Sequence, residues 1–357
     1  MEKKVKNTEK AGCGIIGYGG MGGWHARHLA ESDVGYLRGV WDIKPERNEL
    51  AESQGIHAYK SEADLLADPD ISVVTIATPN DVHAEIAIRA LRAGKNVISE
   101  KPVTLNSKQL DAVIAASEET GKLFTVHQNR RWDCDFMMMR EAFGRPEFGK
   151  IFRIESRIQG SRGIPGDWRA EKAHGGGMIY DWGVHLIDQM LCIAAGLKIE
   201  SVFCVCENVI GAECDEGFRM DINFEGGFTG HIEVGTHNFI SLPRFYLTGT
   251  CGSAVIDDWR DSTRCICVKD WNDGPVKPVV TAAGMTKTMA PRAEDSMLEF
   301  RIERPASDVH DFYRNFIAAT RGEAEQIVTH AQMRRVMKVM ETAFMSDRAK
   351  SVIPFVE

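Results

Sequence analysis

Short apolar runs, each bounded by turn residues, recur through the first third of the chain and alternate with segments of helical hydrophobic spacing. The runs that predict buried strands lie at 11–19, 37–43, 71–79, 96–102 and 123–129. Strands that are apolar nearly throughout, separated by helices, are typical of a parallel sheet covered on both faces. We therefore predict an α/β domain over residues 1–128, with a Rossmann-like, doubly wound parallel sheet.

Helix start and stop signals support this alternation. Ser61 is placed to cap one short helix, and Asn80 or Asp81 to cap the next. The segment Ser107–Thr120 carries an apolar face and stops at Gly121, as expected for a helix that ends at a glycine.

The pattern changes after residue 128 to short strands of alternating polarity. The predicted strands lie at 150–158, 201–209, 218–224, 228–236, 244–250 and 253–257, and the predicted helices at 175–191, 308–320 and 329–346. We interpret residues 281–300, which show no clear period, as a long loop. The second domain, residues 129–357, is therefore predicted to be α+β with a mostly antiparallel sheet.

Composition narrows the class of protein. The 357 residues are 43% hydrophobic and 26% charged, which is ordinary globular usage. A net charge of -8 disfavours nucleic acid and anionic membrane as partners. Nine cysteines, an odd number, and a charged N-terminus without a signal-peptide core favour the cytoplasm. Cys204 and Cys206, like Cys265 and Cys267, are two apart in predicted strands, and we interpret them as packing residues with no metal site.

The first candidate site is a glycine fingerprint, Gly17-x-Gly19-x-x-Gly22, directly after a predicted strand and at the start of a helix. Such glycines permit a tight turn and let a pyrophosphate approach the helix N-terminus. Asp42 ends the second strand twenty residues after Gly22, where a carboxylate can accept hydrogen bonds from both adenosine-ribose hydroxyls. The alternative is a packing turn with Asp42 as a surface cap. We predict NAD binding, with NADP the poorer cofactor.

Two further segments carry candidate catalytic groups. Lys101 in Glu100-Lys101-Pro102 follows a strand at the ligand-binding edge of the sheet, although it could also be a solvated turn lysine. Asp181 and His185 are four residues apart after a run of three glycines and could form a proton-handling edge. A buried histidine with satisfied hydrogen bonds and a helix-dipole aspartate is the other interpretation, and for that pair considered alone it is the favoured one.

Together these segments resemble the Gfo/Idh/MocA family, named for glucose-fructose oxidoreductase, inositol dehydrogenase and rhizopine catabolism. The resemblance rests on the fingerprint with Asp42, residues 77–103, HQNRRWD at 127–133 and GGGMIYDWGVHLID at 175–188. It implies a Rossmann domain, a C-terminal domain on an open antiparallel sheet, and often dimers or tetramers formed through that sheet. It implies NAD(P)-linked oxidation or reduction of sugars and cyclitols.

The resemblance also implies residue roles. Lys101, Asp181 and His185 become the catalytic set. The expected cofactor contacts are Gly17, Gly19, Met21, Gly22, Asp42, Thr78, Pro79, Asn80, His83, Glu100, Lys101 and Gln128. The expected substrate contacts are Arg131, Trp132, Trp168, Arg169, Asp181 and His185.

We predict hydride transfer between nicotinamide and a secondary ring hydroxyl of a sugar or glycoside, with C3 of a glucosyl group favoured. In this prediction His185 removes the hydroxyl proton, Lys101 stabilises the alkoxide, and Asp181 orients the substrate or tunes His185. Alternatives are a cyclitol dehydrogenase, a lyase or glycosidase that oxidises its sugar transiently and recycles NAD, and a cofactor-binding sensor without turnover. Trp182 is a further candidate for stacking on a sugar, with core packing as the other interpretation.

Overall fold

The computed structural model describes residues 10–356, and its first sheet has five parallel strands. They are β1 (Ala11–Ile16), β2 (Gly35–Trp41), β3 (Val73–Ile76), β4 (Asn96–Ser99) and β5 (Phe124–Val126). The strand order is β2-β1-β3-β4-β5, so the chain reverses direction across the sheet between β1 and β3. The carboxyl ends of all five strands share one edge, where open α/β sheets bind their ligands. The predicted N-terminal fold is confirmed.

Five helices connect these strands. They are α1 (Gly20–Glu31), α2 (Pro45–Ser53), α3 (Glu62–Ala67), α4 (His83–Arg92) and α5 (Ser107–Thr120). The Ser61 side chain caps α3 by accepting from Asp64 N at 3.1 Å, as predicted. Neither Asn80 nor Asp81 caps α4, because both lie in a 3-10 turn before it. The Asn80 amide instead donates to Gly175 O at 2.9 Å, a contact with the second half of the chain.

The second sheet is larger and is antiparallel except for one pair. Its strands are β6 (Ile151–Gln159), β7 (Ile199–Glu207), β8 (Gly217–Phe224), β9 (Phe228–Gly235), β10 (Phe245–Gly249), β11 (Gly252–Ile256), β12 (Thr263–Val268), β15 (Met297–Ile302) and β16 (Ile353–Pro354). The order is β15-β12-β11-β10-β6-β9-β8-β7-β16, and β6 pairs with β9 in parallel. The α+β prediction is confirmed, and self-association through this sheet stays a prediction.

The region interpreted as a loop is partly ordered. It contains a small hairpin of β13 (Val279–Thr281) and β14 (Gly284–Thr286), followed by β15, which pairs with β12. The loop interpretation of 281–300 was therefore wrong in part. Most residues of the hairpin are exposed, so they lack the alternation of buried and polar positions by which a strand is recognised.

Four helices complete the described chain: α6 (Cys134–Phe143), α7 (Val184–Ile193), α8 (His310–Thr320) and α9 (His330–Ala349). The sequence pattern missed α6, where buried Phe136, Met138 and Met139 with half-buried Met137 form an apolar run without helical spacing. Helix α9 buries a stripe of Met333, Val336, Met337 and Met340, while Phe344 is half-buried.

Helix α8 returns to the first half of the chain. Tyr313 Oη lies 2.6 Å from His25 Nδ1 on α1, and Arg314 pairs with Asp33 at 3.0 Å. The predicted domain boundary between residues 128 and 129 stays a prediction. Helix α8, which lies in the second predicted domain, contacts residues of the first.

Cys204, Cys265 and Cys267 are buried free thiols and Cys206 is half-buried, as expected for packing residues, and the absence of a metal site there stays a prediction. Between residues 10 and 356 no helix has both the length and the hydropathy needed to span a bilayer. The interpretation of the N-terminal segment concerned residues 1–9, which lie outside the described residues, and the cytoplasmic location stays a prediction.

Candidate active site

The glycine turn has the shape that a dinucleotide phosphate requires. Gly17 has φ +92°, and a Cβ there would lie 2.7 Å from the Ala77 carbonyl carbon. A Cβ on Gly22 would lie 2.0 Å from Gly17 O, so this glycine lets α1 pack against the turn. A Cβ on Gly19 would meet nothing within 4 Å, and the N-terminus of α1 beside it has no side-chain cap. The turn therefore has open space and free N–H groups where a pyrophosphate would bind.

Asp42 lies directly after β2, beside the glycine turn. Its Oδ2 accepts from Tyr18 N at 2.6 Å and its Oδ1 from Lys44 N at 2.9 Å. Each oxygen keeps acceptor capacity beyond these backbone donors. The carboxylate is thus fixed in orientation and still able to accept from two ribose hydroxyls. Together with the open turn, this arrangement fits NAD.

The strand order sets the direction of a bound dinucleotide. Asp42 follows β2, the glycine turn follows β1, Thr78 and Pro79 follow β3, and Lys101 follows β4. Neighbouring strands lie about 4.8 Å apart, so these groups form a row along one sheet edge. An adenosine held at Asp42 would place the nicotinamide end near the ends of β3 and β4. Thr78 and Pro79 are half-buried, as is Met21 on α1.

The remaining predicted cofactor contacts, Asn80, His83, Glu100 and Gln128, are buried. His83 lies between two carbonyl oxygens, with Nδ1 2.9 Å from Pro102 O and Nε2 2.9 Å from Thr78 O. A neutral imidazole donates only one proton, and burial lowers the pKa of His83, so only one of these two contacts is a hydrogen bond. Either way, His83 joins the loops that follow β3 and β4.

Lys101 and Asp181 form the central ion pair of the candidate active site. Lys101 Nζ lies 2.6 Å from Asp181 Oδ1 and donates to Asp181 O at 2.9 Å. Asp181 lies in a π-helical turn, Ile179–Gly183, that precedes α7. The start of this turn is anchored by Asp215, whose Oδ2 accepts from Ile179 N at 2.8 Å. Such wide turns often occur at functional sites, and this one presents a carboxylate and a carbonyl to one ammonium.

His185 lies one turn further on, 5% exposed, and its buried Nδ1 has no hydrogen-bond partner. Burial, together with the positive charges of Lys101 and Arg130, holds the pKa of His185 well below its ordinary range. Burial alone would raise the pKa of Asp181, but Lys101 and Arg169 hold it below the ordinary value. At neutral pH the group is therefore an ammonium, a carboxylate and an uncharged imidazole. Asp181 pairs with Lys101 rather than with His185.

Aromatic side chains line the same region. Arg130 lies 4.1 Å above the Trp182 ring, whose centroid is 6.0 Å from that of His185 and 5.6 Å from that of Trp259. The sequence patterns selected neither Arg130 nor Trp259. Arg130 has an arginine beside it in sequence, and Trp259 lies in a segment without a recognisable motif, so no sequence signal separated them from other surface residues.

Four predicted substrate contacts remain besides Asp181 and His185. Trp168 and Arg169 lie near this group, and Arg131 and Trp132 do not. Arg169 lies 4.6 Å above Trp168, and its Nε is 3.8 Å from Asp181 Oδ1. Arg131 forms a buried, bidentate pair with Asp188 at 2.6 and 2.7 Å. Trp132 packs edge-on against Phe312. Both Arg131 and Trp132 line a separate cavity of about 570 Å³ beside α6, α7 and α9. Asp188 thus holds Arg131 away from this group, where Arg130 lies over Trp182 instead, and the substrate roles of Arg131 and Trp132 stay predictions.

Neighbouring arginines should therefore respond differently to mutation. The side chains of Arg131 and Asp188 are 8% and 4% exposed, so Arg131→Ala leaves a buried charge unpaired and should cost about 3 kcal/mol of unfolding free energy. Arg130→Ala, at a side chain 27% exposed, should cost less than about 1 kcal/mol and raise the substrate KM about tenfold. Urea denaturation and steady-state kinetics of both variants measure this, and equal stability losses would contradict it.

Family models match both halves of the chain. The NAD-binding Rossmann fold of the Gfo/Idh/MocA oxidoreductases matches residues 11–128, and the C-terminal domain of the same family matches residues 136–255. The chain belongs to the Gfo/Idh/MocA oxidoreductase family. Its N-terminal half is accordingly an NAD-binding Rossmann domain, and the resemblance in the sequence is confirmed.

Relatives of this Gfo/Idh/MocA chain match between 70% and nearly all of its length. The crystal structure of an NAD-binding protein from Listeria innocua is 41% identical, covers 97% of this chain and 99% of its own, and has a TM-score of 0.93. The scyllo-inositol 2-dehydrogenase (NADP(+)) IolW of Bacillus subtilis is 25% identical over 98% of both chains. The myo-inositol 2-dehydrogenase of Thermotoga maritima is 28% identical over 70% of this chain and 76% of its own.

Proposed function

We propose that this protein is an NAD-dependent dehydrogenase that transfers a hydride between nicotinamide C4 and a ring carbon bearing a secondary hydroxyl. The substrate would be a sugar, glycoside or cyclitol. The observation that carries the proposal is the Lys101–Asp181 pair beside a buried, uncharged His185, at the end of β4, two strands along the sheet edge from the cofactor turn. This set can receive a proton and stabilise an oxyanion at one place.

Each residue has a defined task in the proposed reaction. Glycine-turn N–H groups and Asp42 would hold NAD, which supplies the hydride acceptor when bound. His185 takes the hydroxyl proton, and its low pKa keeps the imidazole free to accept it at neutral pH. The Lys101 ammonium stabilises the developing alkoxide. Asp181 holds that ammonium in place through its carboxylate and its backbone carbonyl. In the reverse direction His185 returns the proton.

Two substrate candidates follow from different observations. Trp182 and Trp259 form an aromatic wall near His185, which suits the C–H face of a glucosyl ring with its C3 hydroxyl at the imidazole. The inositol dehydrogenase names of two relatives favour a cyclitol. Both candidates present a secondary ring hydroxyl, so the catalytic residues act in the same way on either.

The test compares methyl glucoside, glucose, myo-inositol and scyllo-inositol with NAD, following NADH absorbance and locating the product carbonyl by NMR. Methyl glucoside cannot form a lactone at C1 but can form a ketone at C3. NADH production with a 3-keto glucoside supports the glucosyl candidate, and NADH from an inositol alone supports the cyclitol candidate. Activity on glucose that disappears on methylation, with gluconolactone as product, would contradict the proposed chemistry.

An aryl glucoside completes that panel by testing transient oxidation. Release of the aglycone without net NADH would identify a lyase or glycosidase that recycles its cofactor. Stoichiometric NADH with the aglycone still attached supports the dehydrogenase. The wild-type protein serves for all of these assays, and His185→Ala is the matched inactive control.

A further inference from the structure

A buried cluster of three side chains lies beneath the turn that carries Lys101. His25 and His127 are fully buried and Glu100 is 6% exposed. Glu100 Oε1 lies 2.9 Å from His25 Nε2 and 2.8 Å from His127 Nδ1. We call these residues the His–Glu–His cluster. Its members come from α1 and from the ends of β4 and β5, so it ties three elements together at the ligand-binding edge of the sheet.

The hydrogen bonds show which atoms of this cluster donate and which accept. An ionised carboxylate only accepts, so His25 Nε2 and His127 Nδ1 both carry protons and donate to it. In a neutral His25 ring Nδ1 is then an acceptor, and Tyr313 donates its hydroxyl proton there at 2.6 Å. Burial lowers the pKa of His25, and although burial would raise the pKa of Glu100, the two histidines hold it well below its ordinary range. Ligand types alone would also suit a metal, but every contact has hydrogen-bond length. Glu100 is thus an ionised carboxylate that accepts from two buried N–H donors.

Glu100 also lies close to the proposed reaction. Its Oε2 accepts from Lys101 N at 3.2 Å, and its carboxylate is one of the charges that act on His185. Glu100 follows β4, at the end of the row of strand ends where the nicotinamide of a dinucleotide anchored at Asp42 would lie. A buried charge is screened less by water than a surface charge. The negative charge of the Glu100 carboxylate would therefore act on the nicotinamide ring, which gains or loses the hydride.

We propose that the Glu100 carboxylate, fixed by His25 and His127, makes the protein favour the oxidised, positively charged nicotinamide over the reduced, neutral ring. This inference rests on the proposed function, since it places nicotinamide at the end of β4. At an effective dielectric near 20, attraction between opposite unit charges about 12 Å apart changes binding by about tenfold. Tighter binding of the oxidised ring shifts the equilibrium between bound NAD+ and bound NADH toward NAD+ by the same factor, so Glu100 acts on the balance of the two cofactor forms and has no proton-transfer role.

The experiment compares the Kd of NAD+ with the Kd of NADH by calorimetry, without substrate, for wild type and for Glu100→Gln. We expect the ratio of the NADH Kd to the NAD+ Kd to fall about tenfold in Glu100→Gln. Glu100→Asp keeps the charge and should keep the ratio within about twofold, even if both Kd values rise. The control is Glu216→Gln, which changes a buried carboxylate that accepts from Val209 N and Ile210 N in the second half of the chain. That control should leave the ratio unchanged.

Equal changes of both Kd values in Glu100→Gln would show a purely structural role and overturn the proposal. If Glu100→Gln does not melt cooperatively, the wild-type protein decides: NAD+ binding at least as tight as NADH binding supports the proposal, and NADH binding more than about tenfold tighter overturns it. None of these measurements needs turnover. A protein without dehydrogenase activity but with the expected ratio would therefore refute the proposed function and leave this inference intact.

Discussion

His185→Ala is expected to lower kcat by about 10²- to 10⁴-fold, because a positioned general base is typically worth that much. Lys101→Ala should be at least as severe. It removes the ammonium beside the developing alkoxide and leaves Asp181, whose side chain is 20% exposed, without its closest cation. Binding of NAD should survive both substitutions, since the glycine turn and Asp42 are unchanged and Lys101 is only one of the expected cofactor contacts. Steady-state kinetics with the substrate found in the proposed panel, combined with calorimetric titration of NAD, measure the two effects separately.

The pH profile and a matched histidine variant control this prediction. Because a low pKa keeps His185 uncharged, kcat/KM for oxidation should stay level as pH falls from 8 to 6.5 and decline only below that value. His330→Ala changes a half-buried histidine at the start of α9, whose Nε2 contacts Phe124 O at 3.2 Å, and should leave kcat unchanged. If His185→Ala or Lys101→Ala retains more than about half of the wild-type kcat while chemistry limits the rate, the role of that residue is wrong.

NADP is expected to be used about 10²-fold less efficiently than NAD. A 2′-phosphate would meet the Asp42 carboxylate, and two like charges about 4 Å apart at an effective dielectric near 20 repel by about 4 kcal/mol, less where water screens them. One relative is named as an NADP(+)-dependent scyllo-inositol 2-dehydrogenase. We attribute the preference expected here to Asp42, the residue after β2. The ratio of kcat/KM values for the two cofactors measures it.

Asp42→Ala should bring the ratio of kcat/KM for NAD to kcat/KM for NADP closer to one. The change should come mainly from weaker NAD binding, because the variant loses the acceptors of both ribose hydroxyls. Glu46→Ala, an exposed acidic residue in the first turn of α2, is the matched control and should leave the ratio unchanged. Equal kcat/KM values for NAD and NADP in the wild-type protein would contradict the role of Asp42. An unchanged ratio in Asp42→Ala would contradict it as well.

The parts of the site that were predictable from sequence are those in which backbone geometry restricts residue choice. Gly17 requires a positive φ, and Gly22 must let α1 approach the turn, so their spacing alone indicates the cofactor turn. Lys101 was predicted at the ligand-binding edge of the sheet in a similar way, because it follows the end of a buried apolar run. Local patterns of this kind are complete within twenty or thirty residues, and the structure agrees with them closely.

The parts that were not predictable depend on contacts between distant segments. Arg130 and Arg131 are equivalent in sequence, and only the position of Asp188 on α7 decides which one faces the site. The helical spacing of Asp181 and His185 suggested a direct pair, but the π-helical turn and Lys101 direct the carboxylate elsewhere. Similarly, no pattern indicated that Glu100 would be enclosed by histidines.

The most direct test of the central claim is transfer of a ring-bound deuterium to the cofactor. Wild-type protein is incubated with NAD and either methyl glucoside deuterated at C3 or inositol deuterated at every ring carbon, and the NADH is analysed by mass spectrometry and NMR. The account predicts one deuterium at nicotinamide C4 from one of these substrates, with a matching ketone on the ring. NADH without deuterium, or an unchanged cofactor beside a converted substrate that has kept all of its deuterium, would contradict it.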